Sequence, residues 1–319
     1  MRPIGIAAAV GFAAIYALSL MHLNNVSAFP MEEALAILVI VGIGFSFLAW
    51  VTTIGVTSQP LTVKAPTGEA LVALVLVALL AFHLVGVKSW GDGLVPGAGQ
   101  GGDDLAHEAW VLALKLAAFV VIPLFVYRTL FGATWAEFGL TAASYRRLIG
   151  RDGLAVLVIG IAVIGFQYMA GSAAAPFREG KYAADALQLG LPLAFAWLVF
   201  EVGLVEEFFF RAVLQERLSA LFKSDIAGLF VTAAIFGLVH APGMVLRGAG
   251  VHEGLGLNPD MLTAAAYTIT VQAVAAFMFG ILWLRTRNLL AVMLVHAAMD
   301  LLSNASDLLN AFGFAQTGA

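Results

Sequence analysis

No cysteine occurs among the 319 residues of this chain, which removes disulfide frameworks, thiolate zinc sites and thiol nucleophiles together. Charge is scarce as well. Asp, Glu, Lys and Arg make up 11% of the residues, against about 25% in a soluble globular protein. Too little polar surface remains to cover a water-soluble particle of this size. Disorder, which requires low hydrophobicity and high charge, is excluded by the same numbers. A formal net charge of −4 gives no electrostatic footprint for nucleic acid, so none is expected as a partner. The two-residue alternation of strands is also missing. What the chain does have is 61% hydrophobic residues, gathered into long runs. The class that remains is a polytopic protein whose solvent is the lipid bilayer.

A membrane helix needs roughly 20 mainly apolar residues to cross about 30 Å of hydrocarbon. Nine stretches qualify, near 4–22, 34–57, 69–87, 109–131, 153–171, 189–211, 226–241, 264–285 and 289–306. Lipid-facing backbone must satisfy its own hydrogen bonds, so the expected fold is all-α, a transmembrane bundle of about nine helices. Residues 1–150 read as N-terminal helices with an inner connector, and residues 151–319 as the core that carries the chemistry. Lys and Arg set the orientation. With the N-terminus inside, most of them fall at inner ends, from Arg2 and Lys64 to Arg285 and Arg287. Only Lys88, Arg178, Lys181 and Arg247 then lie outside. Val26-Ser27-Ala28 has the small residues of a signal-cleavage site, but the apolar run before it is longer than a signal core, so the first helix is expected to stay. Trp135–Arg151 reads equally as an interfacial helix or a plain connector. The glycine cluster Gly91–Gly102 lacks the Lys-Ser/Thr of a phosphate loop and reads as a flexible connection.

A charged side chain at mid-membrane costs at least about 2.5–3.5 kcal/mol and is a functional candidate for that reason. Most charges avoid the cost by capping spans, as Glu32, Glu33, Glu69 and Glu108 do, and Lys115 is expected to snorkel to an interface. The rest cluster late in the chain: Glu201, Glu206, Glu207, Arg211, His240, His296 and Asp300. Glu207 and Arg211 are i,i+4 neighbours able to pair on one helix face. Glu206 points about 100° away into a wall that includes Phe208, Phe209 and Phe210, an environment suited to a general base. A buried ion pair with one extra Glu is the plainer reading. Phe236–His240 reads as the end of a short helix stopped at Ala241-Pro242-Gly243, and His296 and Asp300 lie one turn apart on the last helix. If the helix of Glu206 continues to about Phe222 and turns at Lys223-Ser224-Asp225, then Glu206 and His240 each lie 17 residues from Lys223. Both would then stand roughly 25 Å from the turn. The Gly-rich connection Gly243–Gly256 allows the next helices to return, so all four polar positions can converge.

Glu206-Glu207-x-x-x-Arg211, Phe236-x-x-x-His240 and His296-x-x-x-Asp300 together resemble the three motifs of the CPBP family. That family comprises type II CAAX prenyl proteases, bacterial "CAAX protease and bacteriocin-processing" proteins and related intramembrane glutamate proteases. The contexts EEFFFRAVLQ, FGLVHAP and NLLAVMLVHAAMD resemble its bacterial branch, which implies a bacterial plasma membrane. The resemblance covers residues 190 to 305 or so. It implies an endopeptidase acting on a peptide or membrane-associated protein. Glu206 would activate water with help from His240, His296 and Asp300 would orient groups or stabilise the oxyanion, and Glu207, Arg211 and Phe236 would be structural. The eukaryotic members carry Asn at the last position. An ionised Asp300 cannot donate to an oxyanion, so it must be protonated, orient His296 or help bind a cation.

The residues themselves agree in kind: a carboxylate base, imidazoles and no Ser or Cys nucleophile suggest direct attack by water. No cofactor is expected. Zinc is the nearest rival, because Glu206, His240, His296 and Asp300 form a chemically legitimate ligand set. His252-Glu253 begins like HExxH, but Gly256 stands where the second His belongs. A non-catalytic immunity or scaffold protein and a secondary transporter are further alternatives. The transporter is disfavoured because the polar residues sit in one half only.

Overall fold

The computed structural model describes residues 2–26, 29–56, 58, 60–82, 105–247, 255 and 259–314. Each of the nine apolar stretches has a helix over most of its described residues. These helices are α1 (Pro3–Val26), α2 (Met31–Thr52), α3 (Pro66–Phe82), α4 (Leu105–Phe131), α5 (Arg151–Ala170), α6 (Ala186–Phe222), α7 (Asp225–Arg247), α8 (Met261–Thr286) and α9 (Leu289–Ala311). There is no strand among the described residues. Eight of the nine are long and apolar enough to cross a membrane, and α3 is a shorter apolar helix. The protein is a multi-pass integral membrane protein built as an all-α bundle. Ser27-Ala28, Lys88, Gly91–Gly102, His252-Glu253 and most of Gly243–Gly256 lie outside the described residues.

One expectation changes and one open reading is decided. Helix α7 does not stop at Ala241-Pro242-Gly243 but runs through Pro242 to Arg247. Proline forfeits one N–H and crowds the carbonyl four residues back, here that of Leu238. Membrane bundles tolerate such a defect because neighbouring groups re-satisfy the backbone. Trp135–Arg151 becomes a 3-10 turn, Trp135–Phe138, and a short helix, Ala142–Ile149, whose N-cap Thr141 accepts from the Ser144 N–H at 3.0 Å. It is not a plain connector. Tyr145 and Ile149 are exposed beside Arg146 and Arg147, as in an interfacial helix, while Asn288 anchors it by donating to the Ser144 carbonyl (2.9 Å) and to Asp152 (2.7 Å).

Charged side chains fix the end of the bundle where α6 turns into α7. Glu69 caps the start of α3 by accepting from the backbone N–H groups of Lys64 (2.7 Å) and Ala65 (3.0 Å), and pairs with buried Arg217 of α6 at 3.2 Å. The Arg217 guanidinium lies over the rings of Tyr127 and Phe138. The α6–α7 and α8–α9 turns pass through Lys223 and Arg287, both left-handed. Arg287 pairs with Glu216 at 2.7 Å and so holds the two turns together. At the far end, Asp260 caps α8, accepting from Thr263 N–H at 2.7 Å, and that bond holds its carboxyl below the usual range.

Glycines set how closely the site helices approach. A Cβ on Gly203 of α6 would lie 2.6 Å from the Met293 carbonyl oxygen of α9. One on Gly237 of α7 would lie 2.8 Å from the Thr268 carbonyl oxygen of α8. Helices α6, α7, α8 and α9 thereby pack around one interior, with α5 against α9 and α4 alongside α6.

Candidate active site

Helix α6 is not regular where it carries Glu206 and Glu207. The three α-helical residues Val205–Glu207 are flanked by π-helical stretches, Val199–Leu204 and Phe208–Gln215. A π turn holds one residue more than an α turn, re-phases everything beyond it, and is frequent at functional sites. Val205 and Glu207 are buried, while Glu206 retains some exposure at 17% of its side chain.

The structure brings Glu206, His240 and His296 together. Glu206 Oε2 lies 3.9 Å from His240 Nε2 and 3.9 Å from His296 Nε2. Neither distance is a hydrogen bond, but each is short enough for one water molecule to bridge. On α7, His240 Nδ1 lies 2.7 Å from the Phe236 carbonyl oxygen. A carbonyl only accepts, so Nδ1 carries the proton. In the neutral ring, Nε2 then presents a lone pair toward Glu206.

His296 of α9 is held differently. Its Nδ1 lies 2.6 Å from Glu207 Oε1, and Glu207 Oε2 accepts from Arg211 Nε at 2.8 Å. Glu207 and Arg211 are fully buried. The outer guanidinium nitrogens of Arg211 have no hydrogen-bond partner among the described residues. They are accommodated instead by ring faces, with the guanidinium carbon 5.2 Å from the Phe236 centroid and 5.7 Å from that of Phe279. Phe279 of α8 also stacks on His296, at 4.2 Å and 19°, and Phe236 packs edge-on to Phe210 at 4.9 Å. This aromatic box fixes both imidazole planes. Glu207 therefore does more than hold its own helix, since it orients His296. Sequence reading missed that role, and it missed Phe279, which no motif marks.

Of the three roles open to Asp300, that of orienting His296 has no contact behind it. Its carboxylate makes no hydrogen bond to His296, whose Nδ1 is taken by Glu207. The bond seen at residue 300 is to its backbone oxygen, from Asn304 Nδ2 at 2.8 Å. The side chain is half-buried and within electrostatic range of His296, Glu206, His240 and Lys115. Lys115 does not snorkel. It pairs with Glu201 at 2.8 Å, and Glu201 also accepts from Trp197 Nε1 at 2.9 Å. Among the described residues no group of three or more His, Asp or Glu side chains has the geometry to hold a metal ion.

The constellation offers a carboxylate with a little exposure, an imidazole acceptor facing it, and a second imidazole clamped by a buried ion pair. A water placed between Glu206 and His240 can donate one hydrogen bond to each acceptor, and an oxygen developing negative charge can be met by His296. These are the parts needed for hydrolysis of an acyl bond. Residues 188–302, from α6 to α9, match the family model described as Rce1-like, type II CAAX prenyl endopeptidase. No curated protein and no solved structure gives a match.

Proposed function

We propose that this chain, whose residues 188–302 match the Rce1-like type II CAAX prenyl endopeptidase family, is a CPBP-family intramembrane endopeptidase that hydrolyses a peptide bond with water activated by Glu206. The family is one of proteases; the mechanism, the metal-free chemistry and the residue roles are our reading. The observation that carries it is the placement of Glu206 Oε2 at 3.9 Å from Nε2 of both His240 and His296, within apolar walls where each electrostatic interaction is strengthened.

In this reading Glu206 takes a proton from water as the oxygen attacks the scissile carbonyl. His240, its Nδ1–H fixed on the Phe236 carbonyl, accepts a hydrogen bond at Nε2 from the water's other hydrogen, which turns a lone pair of the water oxygen toward the substrate. His296, doubly protonated against Glu207, donates from Nε2 to the oxyanion. Collapse of the tetrahedral intermediate returns the Glu206 proton to the leaving amine. Asp300, unable to donate when ionised, serves as an acceptor for substrate N–H groups. The substrate is a peptide or membrane-associated protein, and the membrane is a bacterial plasma membrane with the N-terminus inside.

Comparative peptidomics of cells carrying wild-type protein or Glu206→Ala tests the proposal and names the substrate. We expect one or more peptides to vanish in the variant while its expression and thermal unfolding match wild type. A variant that keeps full proteolysis sinks the reading; a biological effect unchanged in both Glu206→Ala and His240→Ala leaves a scaffold or immunity role. Hydrolysis by purified protein should survive strong chelation; loss that zinc alone restores would replace the water-only mechanism with a metalloprotease.

A further inference from the structure

The N-terminal helices lie outside the matched segment, yet α4 contributes a cation to the interior beside the site. Lys115 Nζ lies 2.8 Å from Glu201 Oε1, and the second oxygen of Glu201 is held by Trp197 Nε1 at 2.9 Å. Both charges are within membrane spans, where an ion pair is costly and is kept for a reason. The half of α4 that ends near Lys115, Leu105–Leu116, has no buried residue, so apolar packing does not explain how it is tied to α6.

The backbone under Glu201 supplies the reason. Glu201 lies within the π stretch Val199–Leu204, five residues before Glu206. In a regular α-helix, five residues at about 100° each would put the two carboxylates about 140° apart. A π turn, with i→i+5 hydrogen bonds, moves residues five apart toward one face. Lys115 pairs with Glu201 and is within electrostatic range of Glu206 and Asp300. Relaxation of the π turn to α geometry would rotate Glu206 by about 100° relative to Glu201, away from one or both imidazoles.

We propose that Lys115 is a positioning residue of the site: through Glu201 it holds the π turn Val199–Leu204 and so fixes the direction in which Glu206 faces His240 and His296. This rests on the peptidase reading for its consequence in catalysis, but not for its structural claim. It also gives the N-terminal helices a role, since α4 presets the geometry of a centre carried by α6, α7 and α9.

The test uses full-length protein in phosphatidylcholine nanodiscs with two readouts. Hydrolysis of a library of internally quenched apolar peptides should show Lys115→Met lowering kcat by about 100-fold, as expected for an ångström-scale misplacement, with KM little changed. Lys115→Arg should restore the rate. The double variant Lys115→Met with Glu201→Gln removes both charges and keeps an acceptor for Trp197. It should unfold at the wild-type temperature or above yet stay slow. Recovery of kcat along with stability would show a mere strut and overturn the proposal. The second readout needs no turnover. In ¹⁵N-histidine-labelled protein, Lys115→Met should move the Nε2 resonances of His240 and His296, leave that of His22 on α1 in place, and be reversed by Lys115→Arg. Unmoved resonances overturn the proposal. If they move while wild-type protein cleaves nothing, the positioning role stands and the peptidase reading falls.

Discussion

In α8 and α9, 67% and 61% of the apolar window is buried inside protein, whereas α1 and α4 bury 22% and 17% of theirs. Hydropathy runs the other way: α2 and α4 are the most apolar spans and α9 the least. A soluble protein hides its most apolar helices. This bundle turns them to lipid and keeps its interior for helices that carry Glu207, Arg211 and His296, all buried. Burial in lipid gives no hydrophobic drive between helices, so close association relies on small residues and polar bonds. Gly203 and Gly237 permit the first and the ion pairs supply the second. The N-terminal half therefore forms the lipid-facing wall and the C-terminal half the chemical interior, and ion pairs join them, among them Glu69–Arg217 and Lys115–Glu201.

The largest effect on this division should come from cutting the first joint. Arg217→Met leaves Glu69 buried with its carboxylate unpaired, a loss of about 3–5 kcal/mol. Denaturation of purified protein in mixed micelles should show it. Arg217 lies 11 residues from Glu206, about 16 Å along the helix, so hydrolysis per folded molecule should hardly change. Equal loss of stability and of rate per folded molecule would show that the two halves cannot be separated in this way.

A smaller effect is expected inside the chemical half. Asp300→Asn should keep the fold and lower kcat by less than about tenfold, or 1.4 kcal/mol, because Glu207 rather than Asp300 orients His296. A rate loss as deep as that of Glu206→Ala would restore Asp300 to the proton-transfer chemistry.

The division also explains what was legible in the sequence. The spans were, because twenty apolar residues in a row have few other uses. The approach of Glu206 to His240 was too, since the two lie equally far from Lys223 and the π stretch Phe208–Gln215 changes the height by less than a side chain can span. The Glu207–His296 contact was not, because it joins side chains 89 positions apart and no periodicity links α6 to α9. Nor was the fate of Lys115: an i,i+4 rule assumes α geometry, and the π turn that presents Glu201 has no composition of its own. Pro242 misled for a related reason. Its rule as a helix stop comes from water, where a freed carbonyl finds solvent and nothing compels the helix to go on.

The smallest expected effect tests the wall itself. Leu18 of α1 is 64% exposed in the protein, more than many surface residues of soluble proteins, and in water such a leucine would mark a binding patch. In the bilayer it touches acyl chains in the folded state and in the inserted unfolded state alike, so its truncation removes little that folding gained. Leu18→Ala should then shift unfolding by no more than about 0.5 kcal/mol, the range of ordinary surface changes, and leave hydrolysis untouched. Measured beside it, Phe279→Ala, which empties the box around His296, should cost about 3–5 kcal/mol. If the two differed little, α1 would be packing against protein after all, and the reading of the N-terminal helices as a lipid-facing wall would fail.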